Sequence, residues 1–381
     1  MRVAFFSEVY WPMVSGVSLT VQRAVDGLRE RGHVVRVYSA TYGRLPGEPD
    51  RPEVHRSPSR ALFLSPEVQW AFPRRQEIGE DLARFRPDVA HLATEFSLGL
   101  AGLRAARKLR VPIVASSHTD YESYAARYGL RWAVAPGWRY LRWFYGHAVR
   151  VLCPSPTHQA HLGLRGIRHT AIWSRGVDAE RFHPRHRSDA WRRSLGVGSD
   201  DLLVTYVGRI APEKGIDVLL DAWSRLGDLH DRTRLVFVGG GLMESEILRR
   251  ELPGVRLVGF RHDGELSAAY ASADLFVLPS ATETFGNVLL EAMASGLPCI
   301  AAAAGGPRDL VEHGWNGWLV RPDDAVALAD ALRTLLADGM QRRRLGRAAR
   351  ATAESRSWGA VHDGLAATYE CAMRDGRAAA A

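Results

Sequence analysis

Residues 202–215 read Leu202-Leu203-Val204-Thr205-Tyr206-Val207-Gly208-Arg209-Ile210-Ala211-Pro212-Glu213-Lys214-Gly215. The apolar opening predicts a buried strand over Leu202–Val207. Gly208 ends it, two cations follow within a tight loop, and a helix is expected over Gly215–Leu226. A strand that feeds through a short loop into a helix is half of a βαβ unit, so this stretch argues for a parallel sheet.

The same rhythm recurs on both sides. Downstream, strands are expected at Leu235–Val238, Arg256–Val258, Leu275–Leu278 and Cys299–Ala302, with a helix at Asn287–Ser295. The final helix is read as Trp358–Arg374, with the Ala-rich tail after Gly376 expected to fray. Upstream, strands are expected at Val3–Phe6, Val34–Tyr38, Val89–Leu92, Ile113–Ser116 and Val149–Cys153. Between the first two lies a helix over Val17–Arg31, with Val17, Val21, Val25 and Leu28 at helical spacing and Gly32 placed to close it. From about Phe182 to Asp201 the chain is polar and basic and contains Pro184, which reads as a connection with a helical turn at Trp191–Leu195. At 381 residues the chain suits two domains. The expected fold class is α/β: two doubly wound domains, with a ligand at the carboxyl ends of the strands in the cleft between them.

Composition bounds the function. A 46% hydrophobic and 24% charged chain is an ordinary globular protein. Cys153, Cys299 and Cys371 form no CxxC pair, which argues for a reducing compartment and against a disulfide framework or structural zinc. The first strand begins directly after Met1-Arg2, and no apolar run approaches the roughly 20 residues that span a bilayer. A cytoplasmic location is expected, with membrane contact at most at a surface. The formal charge of +8 admits nucleic acid, an anionic membrane or phosphorylated substrates. Lysine occurs only at Lys108 and Lys214, so the basic surplus is arginine, as a coding bias would give.

Four segments carry chemistry. In Glu283-Thr284-Phe285-Gly286-Asn287-Val288-Leu289-Leu290-Glu291, one acid precedes a helix start and the other lies about two turns into it. Amides at Phe285, Gly286 and Asn287 would face an anion, and the acids would meet hydroxyls, which suits a nucleotide-sugar. Taken alone, the spacing favours the plain reading, a loop acid and a solvated helix acid. In the opening stretch, Arg209 can grip phosphate bidentately and Lys214 can act as a point charge; the plain alternative is two surface cations, Lys214 paired with Glu213. Val14-Ser15-Gly16-Val17 offers amides at another helix start, as many βα turns do. Ser116-Ser117-His118-Thr119-Asp120 follows a strand, and His118 fits either a structural histidine or a substrate contact.

Together with Gly32-His33-Val34, Pro154-Ser155, Gly239-Gly240-Gly241, Val258-Gly259-Phe260, Ala292–Pro298 and Gly305-Gly306-Pro307, these segments resemble glycosyltransferase family 4 over nearly the whole chain. The resemblance implies the GT-B fold: two Rossmann-like domains, 1–182 for the acceptor and 183–357 for the nucleotide-sugar, with 358–381 a helix crossing back to the first. It implies a retaining glycosyltransferase without an obligatory metal. Glu283 would bind hydroxyls of the transferred sugar and Glu291 the ribose. Arg209 and Lys214 would hold the diphosphate as it leaves. Amides near Gly16 and at Phe285, Gly286 and Asn287 would complete the cradle, the backbone near Phe260 would meet the base, and His118 would sit by the reacting sugar. Ser117–Tyr121 and Tyr128-Gly129-Leu130 resemble the branch of mannosyl-, sulfoquinovosyl- and glucosyl-transferases acting on glycolipids, and Thr282–Asn287 with Gly305–Arg308 resemble its GDP-mannose-dependent α-mannosyltransferases. GDP-mannose is therefore expected ahead of a UDP-sugar, with a lipid-linked or saccharide acceptor. From Arg127 to Arg150 there are five arginines, three tryptophans and no acid, which fits either an anionic membrane surface or a core helix.

Other classes fit less well. A nicotinamide-dependent dehydrogenase would need G-x-G-x-x-G straight after a strand, and a P-loop enzyme would need GxxxxGK[ST]; neither is present. Nucleic-acid binding would rest on net charge alone, without a recognised motif, and is not expected. A non-catalytic nucleotide-sugar-binding relative would have no need of both glutamates and both cations.

Overall fold

The computed structural model describes residues 1–42, 51, 53–62 and 65–380. The chain forms two compact units. One comprises Met1–Thr119, Trp132–Arg175 and Trp358–Ala381; the other comprises Asp120–Arg131 and Gly176–Ser357.

Strands in the first unit are β1 (Arg2–Ser7), β2 (Val34–Ala40), β3 (Val54–Ser57), the separate pair β4 (Ser59–Leu62) and β5 (Ser65–Ala71), then β6 (Val89–Leu92), β7 (Ile113–Ser116), β8 (Arg150–Cys153) and β9 (Thr170–Ile172). Seven of them make one parallel sheet in the order β3-β2-β1-β6-β7-β8-β9. Strands such as β6 and β7 are buried at every residue, as expected when helices cover both faces. The second unit holds β10 (Leu202–Val207), β11 (Thr233–Val238), β12 (Val255–Gly259), β13 (Leu275–Leu278), β14 (Cys299–Ala302) and β15 (Trp318–Val320), all parallel, in the order β12-β11-β10-β13-β14-β15. Both orders reverse direction beside the unit's first strand. The expected pair of doubly wound sheets is thus present, and each has its switch point there: β1/β6 in one, β10/β13 in the other.

The helix Gly16–Glu30 shows how local sequence sets this packing. Ser15 caps it, its side chain accepting from the Ser18 amide at 3.1 Å. Val21, Ala24, Val25 and Leu28 make the buried stripe. Gly27 lies against the helix Trp358–Ala380, so closely that a Cβ on it would stand 2.0 Å from His362 Nδ1. That helix adds Leu365, Tyr369 and Ala372 to the core containing Val3, Phe5 and Val89.

Several details differ from the expectations. Helix continues through the Ala-rich tail to Ala380, consistent with alanine's high helix propensity. The polar stretch before Asp201 is folded into the second unit. Within it, the helix Asp189–Ser194 carries Arg192, which is buried and donates to Ser272 O (2.9 Å), Asp274 Oδ2 (2.8 Å) and Asp201 O (2.6 Å). A buried arginine that saturates carbonyls looks, in sequence, like a solvated charge. The antiparallel pair β4–β5 is not among the expected strands, although residues 65–70 alternate polar and apolar types. The helix Tyr121–Arg127, capped by Asp120 through the Ser123 amide (3.1 Å), belongs to the second unit.

Candidate active site

The switch point of the second sheet brings together the loops that follow β10 and β13. Their meeting is fixed by main chain. Ser280 Oγ and Thr282 Oγ1 both donate to the carbonyl of Glu213, at 3.3 and 3.0 Å. Gly215, at φ +66°, passes so near Pro279 that a Cβ there would be 2.9 Å from its carbonyl oxygen. Across that junction Lys214 Nζ donates to Glu283 Oε1 at 2.6 Å, with both side chains about 15% exposed. Arg209 Nη2 donates to Glu213 Oε1 at 2.5 Å and to Tyr124 Oη at 3.0 Å, while Tyr128 Oη donates to the other Glu213 oxygen at 2.8 Å. Lys214 therefore pairs with Glu283 rather than with its neighbour in sequence. Glu213 is fully buried and anchors Arg209.

The electrostatics follow from this geometry. Burial disfavours the Lys214 ammonium, but the adjacent Glu283 carboxylate outweighs it and the pKa rises. Burial likewise opposes the Glu283 charge, and Lys214 reverses the effect, so its pKa falls. Both are charged at neutral pH, which preserves two cations at the carboxyl end of β10.

The rest of the acid segment sits where the sequence places it. Gly286 occupies the left-handed region (φ +99°) ahead of the helix Asn287–Ala294, whose start has no side-chain cap. The Phe285 ring is in the core, leaving only its main chain to meet a ligand. Glu291 lies within this helix and accepts from the buried Tyr270 hydroxyl at 2.8 Å. The acid loop rests on the glycine pair after β14. Gly306 N donates to Glu283 O at 2.8 Å, and a Cβ on Gly305 would come within 2.0 Å of that same oxygen. Similarly, a Cβ on Gly239 would stand 2.0 Å from Gly208 O, and Ile210 N donates to Gly240 O at 2.9 Å. Phe260 is 62% exposed, and its ring edge lies over Gly240.

Two candidates belong to the first unit. Gly16 is the exposed first residue of its helix. His118, just past β7, has Arg175 Nη2 at 2.9 Å from Nδ1 and Ser116 Oγ at 2.8 Å from Nε2. Burial, reinforced by the Arg175 charge, lowers its pKa well below the usual histidine value.

Thus the structure joins Arg209, Lys214 and Glu283 through Glu213, and gives Glu291 a phenol partner. Sequence reasoning did not find Tyr124, Tyr270 or Arg175, and cast Glu213 only as a partner for Lys214. Glu213 carried a signal, being an acid four residues after Arg209 in a glycine-bounded loop; Tyr270 was indistinguishable from a core aromatic.

Two Rossmann-like units, with paired cations and acids at a switch point, define a class of proteins that handle phosphate-bearing, hydroxyl-rich ligands. The family model described as Glycosyltransferase Family 4 matches residues 14–181, and the model described as Glycosyl transferases group 1 matches residues 187–352. A GDP-mannose-dependent alpha-mannosyltransferase of Mycolicibacterium smegmatis is 39% identical over 380 residues, covering 98% of each chain. A sulfoquinovosyl transferase of Arabidopsis thaliana is 36% identical, covering 94% of this chain and 71% of its own. In fold, a sucrose-phosphate synthase from Thermosynechococcus elongatus superposes with a TM-score of 0.79 at 23% identity, covering 97% of this chain and 98% of that one. The chain belongs to glycosyltransferase family 4 and is a glycosyltransferase with the GT-B fold.

Proposed function

We propose that the protein transfers mannose from GDP-mannose to a lipid-linked or saccharide acceptor, with retention at the anomeric carbon. The observation that carries this reading is the pair of cations fixed at the β10/β13 switch point, Lys214 on Glu283 and Arg209 on Glu213. The mannose donor is supported by relatives named GDP-mannose-dependent alpha-mannosyltransferase that are 34–39% identical over nearly the whole chain.

In this reading Arg209 and Lys214 hold the diphosphate and stabilise it as it departs, which is the main catalytic effect because those charges are already in place. Glu283 binds hydroxyls of the transferred sugar, oriented by the ammonium beside it. Glu291 binds the ribose, held by Tyr270. Main-chain amides at Phe285, Gly286 and Asn287 and near Gly16 receive phosphate oxygens, the backbone at Phe260 meets the base, and His118 contacts the sugar. The two glutamates are binding groups, unlike the acid and nucleophile of a glycosidase. Neutralisation by side chains needs no metal, so turnover is expected to persist in chelator.

The acceptor arrives from a membrane surface, which the protein meets peripherally from the cytoplasmic side. No helix among the described residues is long and apolar enough to cross a membrane. Within 127–150, Arg127 pairs with Asp323, and the helix Val134–Tyr145 buries Trp138, Leu141, Phe144 and Tyr145. Its other face exposes Arg139, Arg142 and Trp143, a basic and aromatic face suited to anionic lipid.

The test is thermal stabilisation by GDP-mannose, GDP, UDP-glucose and UDP, followed by an assay of donor hydrolysis. At a hundredfold excess over the dissociation constant, a native-state ligand adds about 2.7 kcal/mol. Stabilisation by the guanine pair alone, weakened by Glu291→Ala, is the expected result. Stabilisation by the uracil pair alone would replace mannose with a UDP-sugar, and no response to any of the four would refute the donor site. Sedimentation with anionic but not neutral vesicles, lost on Arg139→Glu/Arg142→Glu, tests the membrane face.

A further inference from the structure

Behind His118 runs a chain of hydrogen bonds that the donor-site reading does not use. Arg175 Nη2 lies 2.9 Å from His118 Nδ1, and His118 Nε2 lies 2.8 Å from Ser116 Oγ. The same hydroxyl lies 3.0 Å from His91 Nε2, and His91 Nδ1 is 2.6 Å from the Tyr369 hydroxyl. Ser116, His91 and Tyr369 are fully buried, and Arg175 nearly so. Trp173 packs against both imidazoles and beneath the guanidinium, with centroid distances of 5.3 Å to His91, 5.6 Å to His118 and 4.9 Å to Arg175 Cζ.

The guanidinium fixes the proton order of the first half of this chain, and crowding at Ser116 selects between the two orders open to the second half. A guanidinium donates and never accepts, so His118 Nδ1 must be the bare, accepting nitrogen. The neutral ring then carries its proton on Nε2 and donates to Ser116. The serine hydroxyl, already accepting there, directs its own proton to His91 Nε2. His91 must in turn be protonated on Nδ1, and it donates to Tyr369. Reversing the last two links would aim two ring N–H groups at one serine oxygen and leave the serine proton over, whereas the forward order leaves over the tyrosine proton. Each order makes four hydrogen bonds, so what favours the forward one is that no oxygen in these dry surroundings faces two N–H groups. Burial and the Arg175 charge hold both rings neutral, His91 with a pKa of about 3.

We infer that Arg175 sets the tautomers of His118 and His91 through Ser116, and that Ser116, His91 and Tyr369 are positioning residues that hold the His118 ring as an Nε2–H tautomer for the transfer reaction. The kinetic part of this inference rests on His118 contacting the sugar; the tautomeric part does not. The helix Trp358–Ala380 thereby acts on catalysis through Tyr369, whose hydroxyl meets His91 from 278 residues away in the chain.

The experiment is long-range ¹H–¹⁵N correlation on ¹⁵N-histidine-labelled full-length protein at pH 7, with His91→Gln and His118→Gln for assignment. The expected spectrum shows His118 protonated on Nε2 and His91 on Nδ1. His91 protonated on Nε2, or either ring charged, would overturn the proton order, and this needs only the wild-type fold. Arg175→Met is expected to shift the His91 tautomer three hydrogen bonds' length along the chain, and to lose that effect in a Ser116→Ala background. An unmoved His91 would overturn the assignment to Arg175. Kinetically, Ser116→Ala is expected to lower kcat about tenfold with donor KM little changed. Wild-type kcat in Ser116→Ala while His118→Ala is impaired would overturn the positioning role. Wild-type kcat in both would instead refute the placement of His118 beside the sugar.

Discussion

Lys214→Met, made alone and together with Glu283→Gln, separates what the Lys214–Glu283 pair does for folding from what it does for chemistry. Removing one partner of a buried, hydrogen-bonded ion pair costs about 3–5 kcal/mol, because the other charge is left unpaired. Each side chain here keeps some 15% exposure, so water recovers part of that and about 2–4 kcal/mol is expected. For a unit of this size that corresponds to a fall in Tm of roughly 5–15 °C. In the double variant a neutral amide replaces the stranded carboxylate, and most of the lost stability should return. Turnover should not return. Lys214 is assigned to the departing diphosphate, and loss of one such preorganised group costs about 10²–10³ in kcat. The assay pairs thermal unfolding without nucleotide with kcat measured below the lower of the two midpoints. Recovery of kcat in the double variant, or a single variant with wild-type kcat, would refute the assignment and leave the pair a structural contact.

The same pair predicts a pH profile. The lowered pKa of Glu283 means its contribution is complete above the unfolded value of 4.5 and is lost as pH falls through the lower folded value. The raised pKa of Lys214 means its share is complete below 10.5 and is lost as pH rises through the higher folded value. The stability difference between wild type and the double variant should therefore be flat between about pH 5 and 10 and shrink on either side, as urea titrations across pH would show. Tyr270→Phe removes the 2.8 Å bond to Glu291 and should raise the donor dissociation constant about tenfold with kcat nearly unchanged, measured by calorimetry and initial rates. A lowered kcat at unchanged affinity would show that Tyr270 serves something other than nucleotide binding. Gly305→Ala puts a methyl 2.0 Å from the Glu283 carbonyl at a φ of +53°. It should cost about 1–2 kcal/mol for the left-handed backbone alone and lower kcat/KM more than tenfold by shifting the acid loop. Wild-type kinetics in Gly305→Ala would mean the loop tolerates the displacement.

Much of this was legible in the chain itself because the decisive signals are local. Strands β6, β7, β10, β13 and β14 coincide with the apolar runs, since a strand covered on both faces must be apolar throughout. The helix after Gly286 begins at Asn287 as its residues foretell. What sequence could not supply were pairings across elements. Lys214 lies next to Glu213 in the chain, yet the acid it meets is 69 residues away, because strand order sets β10 beside β13. Arg192 reads as a surface charge and is buried, because its guanidinium bonds the carbonyls of Ser272 and Asp201 and the Asp274 carboxylate. Tyr270 and Tyr369 look like ordinary core aromatics, and the fold brings a polar group, Glu291 and His91 respectively, to each hydroxyl.

The interleaving of the two units also sets an order of assembly. The core of the first unit includes Leu365, Tyr369 and Ala372, which a ribosome makes only after the whole of Gly176–Ser357. At about 5–20 residues per second, that delay is roughly 10–40 s. During it, Val3, Phe5 and Val89 wait without their covering helix, and His91 without its acceptor. The second unit needs nothing made later than itself. In a newborn chain the part synthesised first is thus the part finished last, and the interval is when a chaperone or protease has an apolar face to grip.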